Sequence, residues 1–308
     1  MPSFSGVWTL TAQYQAKGAG NWPVPLLTGD IGLFGGGTNL QYIAIASTGN
    51  AKTFGSLYQS ASELGACGSS TRGIFGGGDS TTNVIQYVTF STQSTSSDFG
   101  DLTLARFGLA SCSNSTRGLF GGGENGGTQQ NVIDYITIAT AGNAIDFGDL
   151  TFAVKSTPGS FASTTRGVWG GGDGSVQTNI ISYVTITSTG NATDFGDLTT
   201  TLYYLSGCSS ATRGVFGGGL NGPSNVIQYV TIASTGNATN FGDLTVARSG
   251  LAACSNATRG VFAGGNTGST SNVMDYITIA TTGNATAFGD TSPAKTNWSG
   301  CSNAHGGL

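Results

Sequence analysis

Charged side chains are scarce in this chain. Of its 308 residues only 8% are Asp, Glu, Lys or Arg, and 15 acidic residues outnumber 11 basic ones, which gives a net charge of −4. No basic cluster occurs, so we expect no nucleic-acid partner, because phosphate recognition needs grouped Lys and Arg. No apolar run approaches the ~20 residues of a membrane-spanning helix. The first residues lack the cationic and apolar segments of a secretory signal. The sequence therefore predicts neither membrane insertion nor classical secretion.

Histidine occurs once, as His305. Catalysis by a Ser, His and Asp set needs a histidine base beside the nucleophile. A copper site of the kind found in radical oxidases needs several His and Tyr ligands. We therefore predict a protein without enzymatic activity, cofactor or metal, and hydrolysis by carboxylates alone is the alternative left open.

Cysteine is also sparse, and no C-x-x-C pair is present. Four of the five cysteines lie five residues before the Arg of a T-R-G string, Phe161 takes this place in another copy, and Cys301 lies in a similar context. Equivalent positions in successive repeats are too far apart for a disulfide, which needs Cα atoms within ~7 Å. We expect all five to be small, buried, reduced thiols without a metal. The four are Cys67, Cys112, Cys208 and Cys254.

What the chain does contain is a repeat. The string T-R-G-(I/L/V)-(F/W)-G-G-G, or a clear variant, occurs six times at spacings of 41, 45, 49, 47 and 46 residues. Each copy is followed by a β-branched strand pattern (residues 225–232 in one copy), a T-G-N-A-T turn, an F-G-D-L string and a G-L-A-A-C segment. A period near 45 with four short apolar runs is typical of a β-propeller with one four-stranded blade per repeat. The aromatic residues of the six strings are Phe34, Phe75, Phe120, Trp169, Phe216 and Phe262.

The two ends of the chain bear on how the ring closes. Residues 301–304 match residues 254–257, an inner strand, yet no seventh F-G-G-G follows. The first F-G-G-G is preceded by Pro23-Val24-Pro25, a poor strand. We predict an all-β, six-bladed propeller over residues 29–308, with its first blade completed by the C-terminal segment, and an N-terminal docking arm over residues 1–28. Seven blades that use the arm are the alternative.

The order of elements resembles the kelch repeat. The shared features are the G-G after an aromatic strand, the Tyr in the next strand, and the R-x-G before the inner strand, as at residues 248–250. The resemblance implies that the G-L-A-A-C strand is innermost and the F-G-D-L strand outermost. The outer-strand Trp usual in kelch repeats is Phe in every copy, at Phe54, Phe99, Phe147, Phe195, Phe241 and Phe288.

The repeated strings, together with G-V-W-T-L at residues 6–10 and G-N-W-P at residues 20–23, also resemble structural proteins of tailed phages, especially marine and cyanobacterial ones. The resemblance implies a component of the phage tail, neck or fibre, made in the host cytoplasm, that docks on other virion proteins. The alternative is an adhesin of the virion that binds a receptor or glycan on the host cell.

Two regions are candidate binding surfaces. The arm carries Trp8, Tyr14 and Trp22, which are suited to anchor a partner, although they alternatively pack on the propeller's own rim. The loops after G-G-G differ in length and composition among the copies, whereas the turns at the opposite end of the blades are nearly uniform. Variation of this kind collects at binding faces. Unconstrained drift of the loop sequences is the alternative explanation. These loops are residues 79–82, 124–130, 173–178, 220–224 and 266–271. The linkers before the inner strands are expected to bring Phe107, Tyr203, Tyr204 and Trp298 to the channel mouth on this variable side.

Other repeated polar residues are expected to be structural. The Asp pairs of the D-F-G-D strings, such as Asp98 and Asp101, are predicted to cap turns or pair with the repeated Arg, and Ca²⁺ binding is the alternative. The Asn residues of six N-x-(S/T) strings are predicted to serve as turn residues rather than glycan sites. These are Asn114, Asn191, Asn237, Asn256, Asn284 and Asn297.

Overall fold

The computed structural model describes residues 26–79, 81–175 and 177–308, and none of these residues is helical. They form 24 β-strands. In chain order the strands are β1 Ile31–Ala44, β2 Lys52–Ala61, β3 Gly65–Gly68, β4 Arg72–Gly76, β5 Val84–Thr89, β6 Ser97–Asp101, β7 Ala110–Ser113, β8 Arg117–Gly121, β9 Glu124–Asn125, β10 Thr128–Thr137, β11 Ile145–Val154, β12 Gly159–Ala162, β13 Arg166–Gly170, β14 Ile180–Thr185, β15 Thr193–Asp197, β16 Ser206–Ser209, β17 Arg213–Gly217, β18 Val226–Thr231, β19 Thr239–Asp243, β20 Ala252–Ser255, β21 Arg259–Ala263, β22 Val273–Thr278, β23 Thr286–Asp290 and β24 Ser299–Ser302.

The strands form six antiparallel sheets, the blades of a β-propeller. Blades 2 to 6 begin with inner strands β3, β7, β12, β16 and β20 and end with outer strands β6, β11, β15, β19 and β23. Each inner strand contacts the next around the channel, and β24 closes the circle between β20 and β3. The predicted all-β fold with six four-stranded blades is confirmed, and so are the inner and outer positions of the G-L-A-A-C and F-G-D-L strands.

Blade 1 is built from both ends of the described chain. Strand β24 pairs with β1 from Gly32↔Ser302 to Gly35↔Ser299. Strand β1 folds back on itself: its two ends are joined by a hydrogen bond from the Ile45 amide to the Asp30 carbonyl at 2.9 Å. Its two halves therefore provide the second and third strands of the blade, and β2 is the fourth. The C-terminal segment supplies the inner strand of the first blade, as predicted.

The repeated glycines make room for side chains of neighbouring blades. A Cβ on Gly76 of blade 2 would lie 2.8 Å from the ring of Phe120 in blade 3. A Cβ on Gly118 of blade 3 would lie 2.7 Å from Cys67 Sγ in blade 2. Successive blades therefore interlock in both directions, the aromatic ring one way and the cysteine the other. This close approach explains both the glycine of T-R-G and the glycine directly after the aromatic residue.

Each outer strand is covered by a turn of the next blade, which is T-G-N-A-T or a variant of it in five blades and residues 91–96 in blade 2. At the junction of blades 2 and 3 the Gly142 amide donates to the Phe99 carbonyl at 2.7 Å. The Asn143 Oδ1 accepts from the Asp101 amide at 3.1 Å. Pairing of this kind leaves no free sheet edge to aggregate. The same acceptor role belongs to Asn50, Asn191, Asn237 and Asn284, so these turn residues join neighbouring blades.

The repeated arginines join blades without an acidic partner. Each guanidinium lies over a Tyr ring of its own blade, 4.3–4.8 Å from the centroid. Its Nη1 donates to an Ile carbonyl of the next blade at 2.8–3.0 Å. Among the described residues none of these arginines forms a salt bridge, so the predicted pairing with the repeated Asp is wrong. The pattern misled because the Tyr recurs as regularly as the Asp. The residues are Arg72, Arg117, Arg166, Arg213 and Arg259.

The junction of blades 1 and 2 differs from the other five. Ile31 stands where the other blades have their Arg, and it belongs to an apolar core with Phe90. Leu27 packs against that core, and its amide donates to the Ser91 carbonyl at 3.2 Å. Apolar contacts thus replace the arginine at the place where the N-terminal segment reaches the propeller.

Two buried ion pairs hold linkers onto their blades. Arg106 contacts Asp134 at 2.9 Å in blade 3, and Arg248 contacts Asp275 at 2.8 Å in blade 6, with all four side chains fully buried. In blade 5 the two equivalent positions hold Leu202 and Gln228. At these two positions Arg and Asp therefore occur together or not at all. Burying one of the two charges without its partner would cost too much free energy.

Candidate binding face

The two faces of the disc differ in what covers them. The T-R-G face carries the uniform turns and both ends of the described chain. The C-terminal residues cross the channel there: His305 Nε2 lies 3.0 Å from the Gly68 carbonyl and 3.2 Å from Ser113 Oγ. The Gly306 amide donates to the Ser209 carbonyl at 3.1 Å. Burial lowers the pKa of His305. This end of the channel is therefore covered by the protein's own chain.

The channel behind His305 is narrow and lined by thiols and hydroxyls. It holds a cavity of about 50 Å³ bordered by inner-strand Cys and Ser residues. All five cysteines are free and buried, which confirms the prediction of buried, unpaired thiols. Burial raises the pKa of Cys67 and Cys208 to about 12. Within residues 26–79, 81–175 and 177–308 no group of three or more Cys, His, Asp or Glu is placed to hold a metal ion.

The opposite face, which we call the variable-loop face, comprises the loops after G-G-G and the linkers before the inner strands. One residue of each blade, two positions before its inner strand, lines the channel mouth there with a positive φ. Its amide donates to a carbonyl of the preceding blade at 2.8–3.0 Å, which closes a circle of six hydrogen bonds. In blade 4 an additional residue, Ser156, provides the carbonyl for the next blade. We call this set the mouth ring: Glu63, Gly108, Thr157, Tyr204, Gly250 and Asn297.

Only two members of the mouth ring are glycines. Glu63, Thr157 and Tyr204 have φ values of +54°, +38° and +53°. This left-handed conformation costs a residue with a side chain about 1–2 kcal/mol. Gly108 and Gly250 show that the fold itself accepts glycine at this position. These positions therefore carry side chains where glycine would leave the backbone less strained, which makes the mouth ring a candidate functional site.

Three of these side chains meet across the mouth. Glu63 Oε1 accepts a hydrogen bond from Asn297 Nδ2 at 2.8 Å and one from the Tyr204 hydroxyl at 3.3 Å. Glu63 lies in blade 2 and Tyr204 in the opposite blade 5, so the contact spans the channel axis. Burial raises the pKa of the Glu63 carboxyl, and Asp79 and Glu124 raise it further. Burial also raises the pKa of Tyr204, and the charge of Glu63 acts in the same direction.

The structure brings three of the predicted aromatic residues to this mouth. Phe107 and Tyr203 are half-buried beside the mouth ring, where their backbones pair with Glu124 and Leu220 of the variable loops. The rings of Tyr203 and Tyr204 are 5.7 Å apart. Trp298 is only 4% exposed and packs edge-to-face on Phe34 at 6.3 Å, so it lies beneath the surface. The predicted arm residues Trp8, Tyr14 and Trp22 lie outside the described residues.

A second cavity of about 50 Å³ lies directly beneath the mouth ring. Thr157, Trp298 and Ser111 line it. The Nε1 of Trp298 and the Oγ of Ser111 are buried and have no hydrogen-bond partner within the described part of the chain. Polar groups buried in this way ordinarily find a partner, either protein, water or ligand. The floor of the mouth therefore offers unused hydrogen-bonding capacity.

Sequence reasoning missed Glu63, Asn297 and Ser111. The available signal was the position two residues before each inner strand, which is Gly in the two R-x-G copies and a larger residue in the others. Read as a requirement for positive φ, this position marks Glu63 and Asn297 together with Thr157 and Tyr204. Ser111 carries no comparable signal, because serine is common on all the inner strands.

Comparison with known proteins assigns no family. No model of a known protein family matches the chain, and no curated protein is significantly similar to it in sequence. No helix of the described residues is long and apolar enough to span a membrane.

Proposed function

We propose that this protein is a non-enzymatic binding propeller that docks on its partner through the variable-loop face, as a component of a phage tail, neck or fibre. The difference between the two faces carries the proposal. The T-R-G face is nearly uniform outside the junction of blades 1 and 2, and the C-terminal segment covers its channel mouth. The variable-loop face has loops of unequal length, half-buried aromatic residues and four mouth-ring residues other than glycine whose backbone has a positive φ.

Partly exposed aromatic residues near the centre of a face are the side chains that most often anchor a protein interface. Phe107 and Tyr203 meet this description, and paired backbones hold both in place. The partner class, other virion proteins, rests on the resemblance of the repeated strings to phage structural proteins. The N-terminal arm is a second docking element under the same proposal. Of the arm, the structure describes residues 26–28, and Leu27 contacts the T-R-G face at Ser91.

Incorporation into particles tests this proposal. We expect Phe107→Ala with Tyr203→Ala to leave the melting curve intact and to reduce incorporation into assembling phage particles at least tenfold. The matched control is Tyr58→Ala, which changes a tyrosine that is 49% exposed on outer strand β2. Normal incorporation of the double variant would remove the variable-loop face from the proposal.

A truncation tests the arm separately. Removal of residues 1–22 spares Leu27 and its contacts with blade 2. We expect a folded propeller that no longer assembles. Assembly at the wild-type level would show that the arm is not a docking element.

A further inference from the structure

We propose that the channel mouth on the variable-loop face binds an uncharged saccharide, held by Glu63, Asn297 and Tyr204 above and by Trp298 and Ser111 below. The inference rests on the proposed use of this face and names the class of ligand.

The hydrogen-bonding groups of the mouth call for a ligand that both donates and accepts. Glu63 Oε2 makes no hydrogen bond within the described chain, and as a carboxylate oxygen it accepts. The Nε1 of Trp298 is only a donor, and it is buried and without a partner among the described residues. A ligand with several hydroxyl groups satisfies both kinds of atom, because a hydroxyl donates as well as accepts, whereas an ammonium or guanidinium group leaves the indole N–H unsatisfied.

The aromatic residues supply a surface for the apolar face of a sugar ring. Tyr203 and Tyr204 lie with their rings 5.7 Å apart at 49°, both half-buried at the mouth. Phe107 occupies the position equivalent to Tyr203 two blades away. Small-molecule sites typically combine aromatic walls of this kind with a few convergent polar groups.

The charges around the mouth select against anionic ligands. Asp79 and Glu124 act electrostatically on Glu63, and Asp173 acts on Tyr204. Among the described residues, Lys155 is engaged with Glu124 at 3.1 Å. Lys295, on the linker of blade 1, has its Nζ beside Gly37. A sialic acid, uronic acid or phosphorylated sugar would place its charge among these carboxylates, and like charges brought together at an interface cost affinity.

The dimensions fit the end of a sugar rather than its ring. The floor cavity of about 50 Å³ has room for about three or four waters, because one water needs about 10–15 Å³. A hydroxyl or hydroxymethyl group fits this space, while the ring stays above beside Tyr203 and Tyr204. The 3.3 Å contact of the Tyr204 hydroxyl with Glu63 is long for an O–H···O bond. A ligand hydroxyl can therefore replace it with little loss.

The test is an array of neutral and anionic oligosaccharides, followed by calorimetry with the best neutral binder. We expect binding to neutral glycans. Glu63→Gln should weaken binding about 10- to 100-fold, and Tyr204→Phe and Trp298→Phe about 3- to 10-fold each, since charged hydrogen bonds are the stronger ones. The matched controls are Asp146→Asn and Tyr58→Phe, both exposed on outer strands. Melting curves identify any variant that fails to fold, and Tyr204→Phe changes only one hydroxyl.

The outcomes separate this inference from the proposed function. The saccharide inference is overturned if no neutral glycan binds, if anionic glycans bind better, or if the Glu63→Gln and Tyr204→Phe variants both bind like wild type. Salt-sensitive binding of a poly-lysine probe that depends on Glu63 would indicate a cationic partner and would also overturn it. If particle incorporation still depends on Phe107 and Tyr203 while no glycan binds, the docking proposal stands and the saccharide site does not.

Discussion

The ion pair between Arg248 and Asp275 allows a test in which one blade receives the two side chains that another blade has at the equivalent positions. Both side chains are fully buried, at 2.8 Å. Blade 5 fills the same two positions with Leu202 and Gln228, and Gln228 Oε1 accepts from the Thr199 amide and hydroxyl at 2.8 and 3.0 Å. Asp275 is held in the same way by Thr245. Replacing Arg248 by Leu and Asp275 by Gln therefore transplants the blade 5 arrangement into blade 6.

The two single changes should each be costly. Removal of one partner from a buried ion pair leaves an uncompensated charge and costs about 3–5 kcal/mol. The double variant should lose only about 1–2 kcal/mol, because no buried charge is left unpaired. The wild-type pair is also incompletely satisfied, since Nε and Nη1 of Arg248 have no hydrogen-bond partner among the described residues. Because the two single losses together exceed the loss of the double variant by at least about 4 kcal/mol, the coupling energy between the two sites should be about 4 kcal/mol or more.

Urea unfolding at pH 7 of the wild type, both single variants and the double variant measures this coupling. The control is the same pair of changes at Arg106 and Asp134, where the contact is 2.9 Å and the same coupling should appear. Additive losses, or single variants as stable as wild type, would show that the pair is not the buried unit described here.

Three further predictions concern stability. The five buried thiols should react slowly with a thiol reagent without denaturant. Burial raises the pKa of Cys67 from 9.0 to about 12 in the folded protein. The contribution of this thiol to stability is therefore complete below about pH 9 and is lost as the pH rises toward 12, as pH-dependent unfolding will show. Deleting residues 297–308 removes β24 and should abolish cooperative unfolding, and an unchanged melting curve would refute its closing role. Gly214→Ala should cost about 1–3 kcal/mol by urea unfolding because Phe161 fills the Cβ space, whereas Gly142→Ala, with nothing within 4 Å, should not.

The sequence was sufficient to predict the architecture because the same pattern of strands and turns recurs in six copies. Four short apolar runs in each of six copies predict six four-stranded blades. The match of residues 301–304 to an inner strand also predicts how the ring closes, and the pairing of β24 with β1 confirms it. Each of these features depends on local patterns that survive from copy to copy.

The contacts between blades could not be predicted in the same way. Arg72 has two recurring candidates, an Asp of the outer strand and a Tyr of the third strand, and only the three-dimensional arrangement shows that it lies over Tyr87. The candidate site was predicted in part: Tyr203 and Tyr204 are at the mouth, whereas Trp298 lies below it. Glu63 was missed because it reaches Tyr204 across the channel, between residues 141 positions apart in the chain.

Electron microscopy of intact particles tests the central claim most directly. The account predicts a six-bladed disc in the tail, neck or fibre, with its variable-loop face, including Phe107 and Tyr203, against a neighbouring virion protein. A disc docked by its T-R-G face with the variable loops free, or particles that lack the protein altogether, would contradict the account.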